Sequence, residues 1–400
     1  MGRGPWVLLA LLSLSVQAAD WQFGDAVIVT AGDRPRVFHH LEASGRRSIA
    51  VQEGTVAVAW EDNHGGRPQV FVSFRTGSAA FSATLARSGA NDAYEPAIAP
   101  AGGDRFLVAW EEGNRVWLGL VGPRGAGPAS QVNERAGAQI TVAAGPEGRL
   151  YAAWTDTGGA FPRVVVARVT IADDAVRVGT PMPVDAEPPL DAQLYPTLAV
   201  TPLGVTVAWE DRRHGHTRLL YRHGDHDLRF AAPLVELNER PPSQSTEFGR
   251  GSGVTRVALA AHGERVAATW MDKREFRGGY DIYAAVSRDG GRTFGANEKV
   301  QDLFGENVPQ WHPAVAVGPG DVLAVAWDDS RDDAADVWLS SRTDGEWSDD
   351  HALPGAHGEG MQSHPVLAFD PEGNLHAAWI HRSADGLSSV RYAQGQLQPD

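Results

Sequence analysis

The heptapeptide Val56-Ala57-Val58-Ala59-Trp60-Glu61-Asp62 is the first copy of a pattern that recurs along the whole chain. An apolar run ends in tryptophan, and an acid usually stands two residues later. Seven copies are marked by Trp60, Trp110, Trp154, Trp209, Trp270, Trp327 and Trp379, and successive tryptophans lie 44 to 61 residues apart. In the last copy His381 replaces the acid. A repeat of this length indicates a fold assembled from similar supersecondary units.

Each copy lies within a unit of four short apolar runs. A run often opened by proline comes first, as in Pro196-Thr197-Leu198-Ala199, and a glycine turn such as Gly145-Pro146-Glu147-Gly148 leads into the tryptophan run. A third and a fourth run follow, such as Val337-Trp338-Leu339-Ser340 and Pro233-Leu234-Val235-Glu236-Leu237. Short runs rich in valine and aromatic residues, bounded by glycine and proline, predict β-strands. The sequence therefore predicts an all-β fold, a seven-bladed β-propeller with four antiparallel strands in each blade.

The last unit has too little chain for a fourth strand after its third run, Val390-Arg391-Tyr392. Residues 23–29 (Phe-Gly-Asp-Ala-Val-Ile-Val) resemble the fourth-strand sequence of the fifth unit, residues 294–300. We therefore expect the N-terminal strand to close the last blade, because this pairing removes a free sheet edge.

Residues 1–19 predict a signal peptide. Arg3 precedes an apolar stretch that runs from Trp6 to about Val16, and Val16-Gln17-Ala18 offers the small residues of a cleavage site. An uncleaved membrane anchor is the alternative, but the stretch is shorter than the roughly 20 apolar residues that span a bilayer. We expect residues 20–400 to form a single propeller domain that is secreted or periplasmic, with no membrane span after signal removal.

The composition excludes several classes of function. The 400-residue chain has 35 basic and 50 acidic residues, and this net charge of −15 argues against a nucleic-acid partner. It has no cysteine, which excludes disulfides, cysteine–zinc sites, iron–sulfur clusters and cysteine nucleophiles. The histidine spacing matches no standard metal motif, so the sequence predicts no metal and no cofactor. Nothing in it indicates an oligomeric state.

One segment, Ser287-Arg288-Asp289-Gly290-Gly291-Arg292-Thr293-Phe294, matches the Asp-box pattern S-x-D-G-G-x-T-F residue for residue. On this motif the chain resembles the sialidase-like, Asp-box (BNR-repeat) superfamily of secreted β-propellers, and the repeats extend the resemblance over nearly the whole mature chain. The resemblance implies a structural hairpin turn between the third and fourth strands, remote from the active site. Its residues would be Ser287, Asp289, Gly290, Gly291, Thr293 and Phe294. The aspartate can accept backbone hydrogen bonds, and the glycines permit positive φ.

The sialidase catalytic signature is not found in this sequence. Sialidases carry an arginine in an F/Y-R-I-P motif and pair a tyrosine nucleophile with a glutamate. Arg34-Pro35-Arg36 and Arg67-Pro68 are poor substitutes for that motif. Sialidases also typically have six blades, so a true sialidase is the less favoured expectation.

The residues that lead into each first strand are expected to lie nearest the central channel, on the face that binds ligands in propellers of this kind. They are Tyr94-Glu95, Gln139, Gln193-Leu194-Tyr195, Gln310-Trp311-His312 and Gln362-Ser363-His364. Glutamine, aromatic and histidine side chains suit the hydroxyl groups and rings of sugars. The alternative is that residues before proline only set an extended backbone and pack between blades.

Four arginines in the loops after the tryptophans form a second group of candidates: Arg213, Arg274, Arg331 and Arg382. Guanidinium groups can hold a carboxylate or sulfate through bidentate hydrogen bonds. The first three each stand two residues after an aspartate, so repeated blade-to-blade salt bridges are the alternative. Long loops in compact domains are often functional. The long connection from Asn238 to Gly253 therefore favours a site among blades four to seven.

Two functions fit these candidates. The first is an exported propeller that binds a glycan or an exported protein on its loop-rich face. The alternative is a glycan-active enzyme, a hydrolase or lyase acting on an acidic sugar, with His312, His364 or Tyr195 as acid or base. Hydrolysis would need a carboxylate pair, for which Glu95, Asp211, Asp272 and Asp329 are candidates. The residues predicted to bind substrate are Glu95, Gln193, Arg213, Arg274, Gln310, Trp311, Arg331, Gln362 and Arg382.

A carboxylate pair or a His/Tyr–Arg constellation at the channel mouth, within mutual reach, would favour the enzyme. A mouth of apolar residues and repeated salt bridges would favour binding.

Overall fold

A computed structural model describes residues 21–30, 35–42, 45–82, 85–132, 134–213, 215, 217–239, 253–274, 279–305, 307–343 and 345–398. The predicted signal peptide and residues 240–252 of the long connection lie outside the described residues. The described chain forms seven antiparallel sheets, the blades of a seven-bladed propeller. The predicted fold class is confirmed. Among the described residues no helix has the length and apolar character needed to cross a membrane.

The strands follow one another blade by blade. The chain starts with β1 (Trp21–Phe23) and β2 (Val27–Ile28), which belong to blade 7. Blade 1 contains β3 (His39–His40), β4 (Ile49–Gln52), β5 (Thr55–Asp62), β6 (Gln69–Thr76) and β7 (Leu85–Ala86). Blade 2 contains β8 (Ala93–Pro100), β9 (Phe106–Glu112), β10 (Arg115–Gly122) and β11 (Gly125–Gln131). Blade 3 contains β12 (Gly137–Ala144), β13 (Leu150–Asp156), β14 (Arg163–Ala172), β15 (Ala175–Val178) and β16 (Met182–Pro183).

The remaining blades repeat this order. Blade 4 contains β17 (Gln193–Thr201), β18 (Gly204–Asp211), β19 (Arg218–Gly224) and β20 (Val235–Glu236). Blade 5 contains β21 (Val254–His262), β22 (Arg265–Asp272), β23 (Asp281–Ser287) and β24 (Glu298–Lys299). Blade 6 contains β25 (Trp311–Val317), β26 (Leu323–Asp332), β27 (Ala334–Thr343), β28 (Glu346–Trp347) and β29 (His351–Ala352). Blade 7 contains β30 (Met361–Phe369), β31 (Leu375–Arg382) and β32 (Ser388–Leu397). Short 3-10 turns occupy Pro146–Gly148, Leu303–Gly305 and Pro319–Asp321.

The first strands of neighbouring blades contact one another, so they surround the central channel. The tryptophan strands come second and are buried on both faces, because a blade packs against each side of them. In β5, for example, all eight residues are buried. A strand buried on both faces has a continuous apolar run rather than an alternating one, which explains the composition of the repeated heptapeptide.

The seven repeat tryptophans are the centres of the core between blades. All seven are fully buried. Trp209 of blade 4, for example, packs in one cluster with Tyr151 and Val164 of blade 3. A buried aromatic side chain removes about 150–250 Å² from water, so each contact between blades is anchored by a large apolar group.

Most of these indoles also form a hydrogen bond with the acid two residues later. The Nε1 atoms of five tryptophans donate to carboxylate oxygens at 2.7–3.1 Å, in the pairs Trp60–Asp62, Trp110–Glu112, Trp209–Asp211, Trp270–Asp272 and Trp327–Asp329. The Nε1 atoms of Trp154 and Trp379 are buried without such a partner. For Trp379 the cause is in the sequence, because His381 stands where the acid would be.

The N-terminal segment closes the ring in blade 7. Strand β1 pairs antiparallel with β32, with Phe23 opposite Gly395, and β2 pairs with β32 through Val27 and Tyr392. The side chains of Trp21 and Phe23 pack against the cluster that contains Trp379. The predicted closure by an N-terminal strand is confirmed.

Gly395→Val tests this closure. A Cβ at position 395 would lie 2.7–2.9 Å from three ring carbons of Phe23. Strand propensity favours valine over glycine, but we expect overpacking to dominate and to lower the free energy of unfolding by about 1–3 kcal/mol in chemical denaturation.

Gly24→Ala is the matched control, because its Cβ would meet nothing closer than 3.9 Å. Adding Phe23→Ala to Gly395→Val should recover part of the loss. If Gly395→Val is as stable as Gly24→Ala, β1 does not pack as described.

Candidate functional site

Six first strands contain an irregularity at the same position. The ladder between the first and second strands shifts register there, and one residue adopts positive φ of 51–61°. These residues are Glu95, Gln139, Tyr195, Arg256, His312 and His364. A bulge redirects a side chain, and such backbone strain tends to occur at functional sites. Contacts between these side chains place them around one end of the channel. This end is called the channel mouth.

The acid that directly follows a tryptophan holds the strained residue of the next blade. Backbone N–H groups of Glu95, Arg256 and His364 donate to carboxylate oxygens of Glu61, Glu210 and Asp328 at 3.2, 2.8 and 2.9 Å. Gln139 donates in the same way to Glu111. Blade 3 has Thr155 in place of the acid, and there the Gln139 amide oxygen accepts from the N–H of Tyr195 at 2.8 Å. These bonds lock neighbouring blades together directly at the channel mouth.

Blade 1 supplies a plug to the channel, which comprises the described residues 41–42 and 45–47 between β3 and β4. Arg46 lies 14 residues before Trp60, and Tyr195 lies the same number of residues before Trp209. Arg46 and Tyr195 therefore occupy equivalent positions in their repeats. The Gly45 carbonyl accepts from Thr141 Oγ1 of blade 3 at 2.9 Å, and Arg47 donates to the Leu259 carbonyl of blade 5 at 2.8 Å. The plug therefore reaches across the channel. A Cβ at Gly45, whose φ is 87°, would lie 2.8 Å from the Val257 carbonyl oxygen, so the crossing requires glycine.

Arg46 holds two glutamates together at the mouth. The buried guanidinium contacts Glu95, and its Nη2 lies 3.3 Å from Glu111 Oε1. The two carboxyl groups also share a hydrogen bond. Burial raises the pKa of Glu111 to about 7. The negative charge of Glu95 adds to this rise, whereas the positive charge of Arg46 opposes it. Burial acts to raise the pKa of Glu95 as well, but Arg46 and the bond to Glu111 lower it below the ordinary value.

This pair behaves as a coupled acid and base. Opposite pKa shifts in two touching carboxyl groups mean that one proton is shared near neutral pH. Glu95 and Glu111 side chains are 30% and 20% exposed, so solvent reaches both groups.

Histidines occupy the other side of the mouth. The His312 and His364 rings stack with centroids 3.7 Å apart, and His40 meets His364 edge-on at 5.3 Å. His312 Nδ1 donates to Asp328 Oδ1 at 2.8 Å. Burial, with the nearby charges of His312, His40 and Arg256, lowers the pKa of His364 to about 2. His364 is therefore neutral at any physiological pH and is a weak base.

The ligand atoms of His312, Asp328 and His364 all lie within 4.8 Å of one another, as a divalent ion would need. The lone pairs of an imidazole lie in the ring plane, so two stacked rings do not point at one ion. Both rings would have to rotate before they could bind the same metal. The described mouth thus contains residue types that can bind a metal, but the two stacked rings do not have the orientation that coordination needs. A second group comprises Asp332 at the end of β26, Asp336 in β27 and His357 between β29 and β30.

Arg256 joins the two sides of the mouth. Its guanidinium lies 4.1 Å above the Tyr195 ring and donates from Nη1 to Glu42 Oε1 at 2.9 Å. The side chain is 30% exposed, so part of the guanidinium can meet a ligand. An aromatic rim lies beside His312, where the 40%-exposed Trp311 packs edge-on against Tyr280 at 5.4 Å.

The structure separates the predicted site residues into groups. Glu95, Tyr195, His312 and His364 meet at the mouth, and Trp311 lies at its rim. The three predicted glutamines, Gln193, Gln310 and Gln362, are at most 1% exposed and bond to neighbouring chain segments. Their prediction as substrate-binding residues stays a prediction, but their amides already have protein partners.

Three of the predicted arginines are engaged by aspartates. Arg213, Arg274 and Arg331 each lie 2.6–2.7 Å from the aspartate two residues earlier. These ion pairs join residues of the same blade, at or just after the end of its second strand, rather than two blades as the alternative supposed. Arg213 also contacts Asp185, in the segment leading from blade 3 to blade 4, and Arg331 contacts Asp350 of blade 6. Arg382 is exposed at the end of β31.

The segment that matches the Asp-box lies between β23 and β24, where it packs against blade 4. Asp289 accepts from the backbone N–H groups of Arg292 and Thr293 and from the hydroxyls of Thr293 and Ser287. Burial opposes these bonds, but together they lower the pKa of Asp289 to about 2. Gly290 and Gly291 have φ of 77° and 86°, and a Cβ on Gly291 would overlap Thr206. The Phe294 ring packs on Tyr221 at 4.9 Å.

Sequence reasoning missed Arg46, Arg256, Glu111, Asp328 and His40. A positional signal could have found the first two. All seven mouth positions, Arg46 included, lie 14 or 15 residues before a repeat tryptophan. The proline that drew attention to Tyr195, His312 and His364 is absent after Arg256, where Val257 follows.

No protein-family model matches the chain, and no curated protein sequence matches it. Among solved structures, it is similar to a protein of unknown function from Dyadobacter fermentans at 12% identity and a TM-score of 0.56, over 94% of this chain and 99% of that one. An α-L-arabinofuranosidase from Fusarium graminearum matches at 13% identity and 0.49, over 76% and 91% of the two chains. A Trypanosoma rangeli sialidase matches at 12% identity and 0.44, over 88% of this chain and 55% of that one.

The resemblance to sialidase-like propellers is confirmed as a likeness of fold. At these identities the likeness shows the fold alone.

Arg331→Met distinguishes a structural from a substrate-binding arginine. The change leaves Asp329 and Asp350 buried without their cation, which should cost about 3–5 kcal/mol of unfolding free energy at pH 8. Burial raises the pKa of Asp350 to about 6, against the opposing effect of Arg331. We expect a smaller loss at pH 5, because the unpaired carboxyl then binds a proton.

The exposed Arg382→Met is the control and should leave stability unchanged. Wild-type stability of Arg331→Met at both pH values, combined with weaker ligand binding, would instead assign Arg331 to the ligand.

Proposed function

We propose that the protein is a glycan-active enzyme whose acid–base chemistry takes place at the channel mouth. The observation that carries this proposal is the Glu95–Glu111 pair, which Arg46 holds in a solvent-reachable position with opposite pKa shifts. Coupled groups with separated pKa values are typical of acid–base catalysis. The mouth also combines Tyr195, Arg256 and two histidines, the constellation that favours an enzyme over simple binding.

The pair acts as one proton-transfer unit. Retaining and inverting hydrolases place their carboxyl groups about 5–5.5 Å and 6.5–9.5 Å apart, whereas these two groups share a hydrogen bond. The second catalytic group therefore comes from elsewhere in the mouth. We assign the proton donor to Glu111 and the opposite acid or base to Tyr195 or His312, with neutral His364 orienting the substrate through hydrogen bonds.

The proposed substrate is a sugar, and Arg256 decides whether an acidic one is accepted. Arg46 is already shared among Glu42, Glu95 and Glu111. The part of Arg256 left open by Glu42 is the cation offered to a substrate carboxylate. Trp311 at the rim offers a face for a sugar ring. The signal peptide predicted for residues 1–19 supports export, so the glycan would be met outside the cytoplasm.

Glu111→Gln tests the assignment of the proton donor. The purified mature protein is screened against uronate-containing, sialylated and neutral oligosaccharides, with new reducing ends and the ultraviolet absorbance of unsaturated uronates as readouts. On a substrate that the wild type turns over, we expect Glu111→Gln to lower kcat about 10²–10⁴-fold.

The exposed Glu134→Gln is the matched control and should retain wild-type turnover. Binding of a glycan without turnover of any would contradict the enzyme and support a binding propeller.

The pH profile tests the coupling within the pair. Glu111 donates only while protonated, so kcat should fall as pH rises through about 7. In Glu95→Gln the neighbouring negative charge is gone, which lowers the Glu111 pKa and should move this alkaline limb to lower pH. An unmoved limb in a folded Glu95→Gln variant would mean that another group donates the proton.

A further inference from the structure

Arg47 places a cation inside the central channel without an acidic partner. Its Nη2 donates to the Leu259 carbonyl at 2.8 Å, and no carboxylate of the described residues lies within salt-bridge distance. Its neighbour Arg46 differs, because three glutamates surround it. Arg47 is half-buried and lines two cavities of the channel.

Arg47 remains charged in this position. Burial lowers its pKa to about 10, so the guanidinium is still protonated at neutral pH. A cation removed from bulk water is costly unless an opposite charge or a full set of acceptors replaces the lost hydration. One carbonyl oxygen satisfies only one of the five guanidinium N–H groups.

Two cavities border Arg47. A small one of about 20 Å³ lies against the plug, lined by Gly45, Arg46, Arg47 and inner-strand residues of blades 5 to 7. A larger one of about 190 Å³ continues along the channel. Its lining comes from the inner strands of six blades, with apolar residues such as Ile49, Ile98, Val315 and Phe369. Among its lining residues Arg47 is the one charged side chain.

We propose that the channel binds a small inorganic anion of the chloride class against the Arg47 guanidinium. Arg47 supplies one unit of positive charge in a cavity whose other lining side chains are uncharged, which matches a monovalent ion. The larger cavity has room for several water molecules, so the ion can keep part of its hydration. The wall offers no second cation that a multivalent anion would need.

Anion binding would stabilise the plug and, through it, the mouth. The Arg47 carbonyl accepts from Ile98 N–H of blade 2 at 2.7 Å, while its side chain reaches blade 5. The ion would thus brace the segment that positions Arg46 against Glu95 and Glu111. The proposal does not depend on the enzymatic function, because it rests on Arg47 and the channel alone.

The experiment compares thermal unfolding of the mature protein in chloride and in gluconate at constant ionic strength. We expect Tm to rise saturably with chloride, by about 2–4 °C. Arg47→Met should abolish this dependence, whatever its own Tm. The control Arg124→Gln changes an arginine that is 84% exposed, and it should keep the wild-type dependence.

Bromide supplies an independent readout on the wild type, which covers the case in which Arg47→Met does not fold. Anomalous diffraction from bromide-soaked crystals should show a peak within hydrogen-bonding distance of Arg47. A chloride response equal in Arg47→Met and wild type would overturn the proposal, as would no saturable response or no bromide peak at Arg47. Neither result depends on whether any glycan is turned over.

Discussion

The structure depends on the burial of a tryptophan between each pair of blades and on the acid that binds its indole. The indole nitrogen needs a hydrogen-bond partner once it leaves water. The carboxylate two residues later meets this need in five blades, from within the same strand. This local pairing fixes the end of the second strand. The residue between tryptophan and acid then points to the opposite face of the strand, where it can reach the next blade.

That intermediate residue connects packing to the candidate site. Glu61, Glu111, Glu210 and Asp328 accept backbone hydrogen bonds from the strained residues of the following blades. The bonds offset part of the strain of positive φ and hold a bulge at the same level in the first strands of blades 2, 3, 5 and 7. A repeated backbone feature thus presents six side chains of differing chemistry at one end of the channel, and Arg46 joins them from the plug. The blades share a structural device, and the chemistry comes from the differences between them.

Blade 1 breaks the symmetry most strongly. Its plug crosses the channel at Gly45 and carries Arg46 to the glutamates of blade 2. Without the plug, Glu95 and Glu111 would face each other without the cation that lowers the pKa of both groups. The expectation of a site among blades four to seven therefore covers only the histidine and tyrosine side of the mouth. Blades 1 and 2 provide the other side.

The sequence by itself determined the seven blades, the order of their strands and the closure by residues near the N-terminus. These follow from local rules: strand-length apolar runs, glycine and proline at turns, and a tryptophan at a regular interval. It also indicated Glu95, Tyr195, His312 and His364, because all four precede a proline at equivalent positions. Only the tertiary structure decided which carboxylates lie together, that Arg213, Arg274 and Arg331 are bound by aspartates, and that Arg46 and Arg47 enter the channel. Those features depend on contacts between residues up to 214 positions apart, such as Arg256 and Glu42, and the geometry of ring closure, not local sequence, brings such residues together.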